Sequence, residues 1–168
     1  MRRFINPRIF LICALSLSLI SWDQVSKDYA REHLRNKAPR AFVHDSFRLE
    51  YVENTGAAMS FADDLPPRLS FWLLGIVPLA VLMGLFGYMM MRARTLSKPK
   101  LIALSLIFAG GMGNILDRLL FDRHVSDFMN VGVSSVRSGI FNFADMWIFF
   151  GAIWVVMASF RDQRRCRC

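Results

Sequence analysis

The chain has 168 residues, 54% of them hydrophobic and 20% charged, with a formal net charge of +8. A soluble domain carries about 25% charged residues and fewer large apolar ones, and 15 Phe with 10 Met is heavy usage at this length. These figures exclude a disordered chain, a disulfide scaffold and an ordinary nucleic-acid-binding domain, and they predict one domain over residues 1–168.

The first apolar stretch runs from Ile9 to Trp22 and continues through Asp23 to Ser26. Arg2, Arg3 and Arg8 precede it, so it imitates a secretory signal. No small-x-small cleavage site follows, and the prediction is an uncleaved first span over residues 9–26. Residues 27–68 form an outer segment. In it Phe47, Leu49 and Tyr51 alternate with Arg48 and Glu50, the two-residue period of a half-buried strand. Asn54, Thr55 and Gly56 read as a turn, with a return strand expected over Ala57 to Phe61 and Pro66–Pro67 closing the segment. A second span, residues 69–91, contains no charge.

The short loop that follows carries Arg92, Arg94, Lys98 and Lys100. A third span covers residues 101–121 and is interrupted by Asp117–Arg118. The second outer segment, residues 122–139, fits a strand over His124 to Val133. The fourth span, residues 140–160, is broken only by Asp145, and the tail holds Arg161, Arg164, Arg165 and Arg167. A bilayer core of roughly 30 Å needs about 20 apolar residues in a helix, so four transmembrane helices are predicted. The two ends and the central loop hold eleven of the 21 basic residues against one acid, Asp162. That asymmetry places both termini and the loop in the cytoplasm. Cys13 falls inside a span, and Cys166 and Cys168 end the tail, so no outer disulfide is expected.

Charged and amide side chains at membrane depth are expensive and mark candidate sites: Asp23, Asn54, Asn114, Asp117, Arg118, Asp127, Asn142 and Asp145. Each also has an ordinary structural reading. Asn142 can cap the fourth helix with Asp145 at its third position. Asp127 can be a turn residue ending its strand. Asp117–Arg118 can be a snorkelling ion pair, and Asp23 with Lys27 a plain i,i+4 pair. Asn114 and Arg118, four apart, face one side of their helix. Ala109, Gly110, Gly111 and Gly113 allow close helix approach.

Brought together, Asp127 and Asp145 cannot both ionise cheaply in apolar surroundings, so the pair shares a proton. That is the arrangement aspartic proteolysis needs, one carboxylate taking a proton from water while the other polarises the scissile carbonyl. Other hydrolytic chemistries lack parts. There is no His-Glu-x-x-His, the histidines His33, His44 and His124 are scattered, and no Gly-x-Ser-x-Gly is present.

Five blocks occur in order: Asp23–Gln24–Val25–Ser26–Lys27, Asn54–Thr55–Gly56–Ala57–Ala58, Gly113–Asn114–Ile115–Leu116–Asp117–Arg118, Val125–Ser126–Asp127–Phe128 and Phe141–Asn142–Phe143–Ala144–Asp145. Together they resemble the signature blocks of bacterial lipoprotein signal peptidase, signal peptidase II, across nearly the whole chain. The resemblance implies an all-α membrane protein with four transmembrane helices and a small β-sheet-like periplasmic cradle, located in the bacterial inner membrane with its active site near the periplasmic face. It implies an aspartic endopeptidase cutting just before a diacylglyceryl-modified cysteine, with Asp127 and Asp145 as the catalytic dyad. Asn54, Asn114, Arg118 and Asn142 are implied to bind substrate or position the dyad, with Asp23, Asp117 and Gly56 supporting. No metal or organic cofactor is implied. Diacylated prolipoproteins, membrane lipid and a globomycin-type inhibitor are the expected partners, with no nucleic acid, and a monomer suffices. The competing readings are a small proton-coupled carrier or assembly factor with the acids as a relay, and a catalytically dead homologue that binds lipidated peptides.

Overall fold

A computed structural model of the protein describes residues 6–55 and 66–165. The return strand expected over Ala57 to Phe61, Gly56, Cys166 and Cys168 lie outside those residues.

Helix α1 (Pro7–His33) starts where Asn6 accepts a hydrogen bond from the Arg8 amide at 3.1 Å and Pro7 supplies a preset φ. It runs past the predicted end at Ser26 because Asp23 and Lys27 are buried against other elements. Two short strands follow, β1 (Arg40–Phe42) and β2 (Phe47–Asn54). The predicted strand over residues 47–51 therefore extends to Asn54, which ends a strand where a turn was expected. Of the four residues between them, Val43, His44 and Asp45 have positive φ. Arg48 holds that turn through Asp45 at 2.5 and 2.6 Å, and Arg137 donates to the Asp45 carbonyl at 2.8 Å.

The second span is built in three pieces: α2 (Pro67–Phe71), a π-helical turn (Trp72–Ile76) and α3 (Val77–Arg92). Pro78 explains the middle piece. Its ring would clash with the carbonyl four residues back, at Leu74, and it has no N–H to offer. The ladder widens instead, and the Val77 amide bonds to the Trp72 carbonyl.

Helix α4 (Lys98–Leu120) is the most enclosed of the four and packs against α1, α3 and α5 (Phe143–Arg165). A Cβ on Gly110 would run into the Ala144 carbonyl and Ile148, so the backbones of α4 and α5 approach closely there. Before α5 come β3 (Val125–Val133) and β4 (Val136–Arg137). The predicted strand from His124 starts one residue later because Asp122 and Arg123 make a left-handed turn. The fourth helix begins at Phe143 rather than Ile140, since Phe141 bridges to Met129 beside the sheet.

The strands form one antiparallel sheet in the order β1-β2-β3-β4. Between β2 and β3 the register slips by one: Leu49 pairs with Met129, but Val52 pairs with Asp127 and Asn54 with Val125. Glu50 and Tyr51 thus stand opposite Phe128 alone, a β-bulge. A regular ladder would have put Tyr51 opposite Asp127 and Glu53 opposite Val125. The extra residue turns Asn54 onto the Asp127 face instead.

Two apolar cores result. Ile12, Leu82, Met89, Leu101, Phe108 and Ile115 fill the helix bundle, while Ala30, Leu34, Phe128 and Met129 join the end of α1 to the sheet. Four helices are long and apolar enough to cross a membrane. Their outward side chains, among them Phe10, Leu17, Val81, Phe149 and Phe150, are exposed apolar groups such as a bilayer would cover.

Candidate active site

Asp127 is the third residue of β3, and Asp145 lies in the first turn of α5. Asp127 is therefore a mid-strand residue, not the turn aspartate that the local sequence also allowed. Both carboxylates line one cavity of about 740 Å³ together with Asn54, Asn114 and Arg118. The rest of that cavity is largely apolar, with Leu74 and Pro78 on one wall and Ile148, Phe149 and Ala152 on the other.

Asn142 joins the two acids. As the cap of α5 its Oδ1 accepts from the Asp145 amide at 3.0 Å, and Asp145 Oδ2 accepts from the Asn142 amide at 3.1 Å. This is a reciprocal capping box, so the structural reading of Asn142 and Asp145 holds. The same cap leaves the Asn142 Nδ2 free to donate to Asp127 Oδ1 at 2.6 Å. Capping and pairing of the acids are one arrangement.

The second oxygen of each acid is also held. Asn54 donates to Asp127 Oδ2 at 3.0 Å, and Asn114 donates to Asp145 Oδ1 at 2.8 Å. Arg118 lies in the last turn of α4 on the cavity side and interacts electrostatically with both acids. Burial, with the Asp145 charge adding to it, pushes the Asp127 carboxyl up to about 6; donors from Asn54 and Asn142 pull the other way.

Asp23 and Asp117 stand behind the cavity. Asp23 Oδ1 accepts from the Ala144 amide at 2.8 Å, satisfying a second free N–H at the start of α5. Asp117 Oδ2 accepts from the Ser126 amide at 3.0 Å and so fixes β3 one residue before Asp127. Asn114 and Arg118 share the cavity face, as their spacing predicts, whereas Asp117 faces the other way. Between Asp23 and Asp117 lies Lys27, with all three side chains 0% exposed. Lys27 is more than an i,i+4 partner of Asp23, because its ammonium also reaches Asp117 and Asn114. Gln24, which the sequence reading passed over, donates to the Gly113 carbonyl at 3.1 Å and to Asp117 Oδ1 at 3.2 Å. A Cβ on Gly113 would strike the Asp23 carboxylate, so this close seam needs glycine. The signal for Lys27 was present in the sequence: a cation beside an apolar span needs partners at its own depth.

The chain is similar to known proteins along most of its length. A family model described as Signal peptidase (SPase) II matches residues 15–161. The chain is 31% identical over 154 residues to a lipoprotein signal peptidase of Borrelia turicatae (strain 91E135), covering 89% of this chain and 86% of the relative. It is 31% identical over 164 residues to the lipoprotein signal peptidase of Xylella fastidiosa (strain M12), covering 98% and 96%. A solved bacterial membrane enzyme shares the fold with a TM-score of 0.77 at 24% identity, over 91% of this chain and 89% of that one. Four apolar helices, two acids bridged at a helix cap and these matches along most of its length lead to one conclusion: the chain belongs to the signal peptidase II family, the aspartic peptidases of lipoprotein maturation.

Proposed function

We propose that this protein removes the signal peptide from diacylglyceryl-modified prolipoproteins, cutting just before the lipidated cysteine, with Asp127 and Asp145 as its catalytic pair. The observation that carries this reading is the Asn142 side chain, which caps the helix bearing Asp145 while donating to Asp127 across one cavity. The cavity suits such a substrate because its polar end can hold a peptide bond and its apolar walls can border acyl chains. The backbone of Gly139 and Ile140 along its rim is outside any strand, where an extended peptide could add hydrogen bonds.

In the mechanism, Asp145 takes a proton from a water molecule as that water's oxygen attacks the scissile carbonyl carbon. Asp127, whose burial favours its protonated form, gives its proton to the carbonyl oxygen. The gem-diol intermediate then collapses: Asp145 gives its proton to the cysteine nitrogen, the C–N bond breaks, and a hydroxyl of the diol returns its proton to Asp127, so that the pair again shares one proton. Asn54, Asn114 and Asn142 hold the carboxylates, and Arg118 supports negative charge developing beside them. Asp23 and Asp117 fix the elements that carry the acids.

The same reading makes residues 1–168 one monomeric peptidase unit in the inner membrane, with both termini cytoplasmic and the site near the periplasmic face. In support, Arg8 donates to carbonyls of the α3–α4 loop, so basic segments gather at the end of the bundle away from the sheet. The test is release of the signal peptide from a diacylated prolipoprotein by the detergent-purified protein, with and without globomycin. Asp127→Asn and Asp145→Asn should each insert and fold yet lose cleavage. Near-wild-type turnover by either variant refutes the pair.

A further inference from the structure

Lys27 lies outside the cavity and touches neither acid of the pair, yet its geometry bears on both. An ammonium has three N–H donors and no lone pair. Lys27 uses its Nζ on three oxygens: Asp23 Oδ2 at 2.8 Å, Asn114 Oδ1 at 2.9 Å and Asp117 Oδ2 at 3.3 Å. Because Lys27 can only donate, the atom of Asn114 that faces it must be the oxygen. The amide nitrogen of Asn114 is then forced toward Asp145, where it donates at 2.8 Å. Asn142 Nδ2 also reaches Asn114 Oδ1, but at 3.2 Å against its 2.6 Å bond to Asp127, so Lys27 is the stronger anchor.

Resting on the peptidase reading above, we propose that Lys27 is a positioning residue: it locks the Asn114 amide in the one orientation that offers Asp145 a donor. Without that lock the amide can turn over and set its oxygen against the carboxylate, acceptor against acceptor. The charged groups around this point are Lys27 and Asp23 from α1, Asp117 and Arg118 from α4, and Asp127 from β3. Removing Lys27 takes away a positive charge and a donor relay together, and loss of the charge favours the protonated form of Asp127.

The experiment measures signal-peptide release from a diacylated prolipoprotein by Lys27→Met, Asn114→Ala and the double variant, across pH, with Asp145→Asn as the blank. For Lys27→Met, kcat should fall about 10- to 100-fold, the scale of one charge-assisted hydrogen bond, with KM changed less than about twofold. The acid limb of its kcat profile should move to higher pH. The double variant should be no slower than Asn114→Ala alone, because Lys27 acts through that side chain. Losses that multiply, an unmoved acid limb, or a change in KM alone overturn the proposal. If Lys27→Met does not fold, Asp23→Asn/Lys27→Met keeps the cluster's net charge and an acceptor for the Ala144 amide, and the same readouts decide. Failure of both to fold makes Lys27 a residue of stability only and overturns its positioning role. A wild-type protein that releases no peptide would refute the peptidase reading itself, an outcome distinct from all of these.

Discussion

Asp127→Asn should make the protein inactive and, at neutral pH, harder to unfold. The Asp127 carboxyl is lifted from 3.8 to about 6, first by burial and then by the neighbouring Asp145 charge. Below pH 3.8 the acid is protonated whether the chain is folded or not. Between there and about 6 only the unfolded chain has released the proton, so stability falls as pH rises through this window. Above it both states are ionised and the folded protein bears the full penalty, about 3 kcal/mol at 1.36 kcal/mol per pH unit. Asparagine stays neutral throughout. Its single oxygen can accept from Asn54 or from Asn142 but not from both, which gives back about 1–2 kcal/mol. The net gain at pH 7.5 is therefore about 1–2 kcal/mol, vanishing or reversing near pH 4. Thermal unfolding of both proteins in one detergent, from pH 4 to 7.5, reads this as a Tm difference that opens as pH rises. A difference that ignores pH, or that widens toward acid, refutes the reasoning.

Gly110→Ala should lower stability by about 1–3 kcal/mol, because the added methyl meets the Ala144 carbonyl and Ile148, and the backbone there cannot yield. Thermal unfolding checks it, and an unchanged Tm would mean that α4 and α5 separate at little cost. Arg8→Met should lower Tm while leaving kcat/KM within about twofold. Its guanidinium donates to the Ala93, Arg94 and Leu96 carbonyls at 3.2, 3.1 and 2.8 Å, far from the cavity, and losing such charged hydrogen bonds costs about 1.5–3 kcal/mol.

The four spans were legible because a membrane helix must be apolar along its whole length, a condition that local sequence meets or fails by itself. Alternation announced β2, and the two acids stood out as charges in apolar surroundings. The three-residue β1 did not, for its pairing depends on a left-handed turn pinned by Arg48 and Arg137 from outside it, and the two-residue β4 did not, being too short to show any alternation. Asp23 was visible as a buried charge, but its use as a cap for a helix more than a hundred residues away was not. The π-helical turn was in principle readable from Pro78 within an unbroken apolar run. For Asn142 the cap and a contact with Asp127 looked like alternatives, and the direction of its Nδ2 allows both at once.

The bulge in β2 makes chain length part of the chemistry. Surface strands ordinarily tolerate a lost or gained residue by letting the ladder slide, and here the slide itself selects which neighbour Asp127 meets. Drift can rewrite the letters at positions 50 and 51 more freely than it can add to them. A one-codon insertion with the bulge retained would leave the sheet standing and bring Glu53 opposite Val125 in place of Asn54, swapping an amide for a third acid beside Asp127. Insertions, more than mismatches, are what this stretch of the gene must avoid.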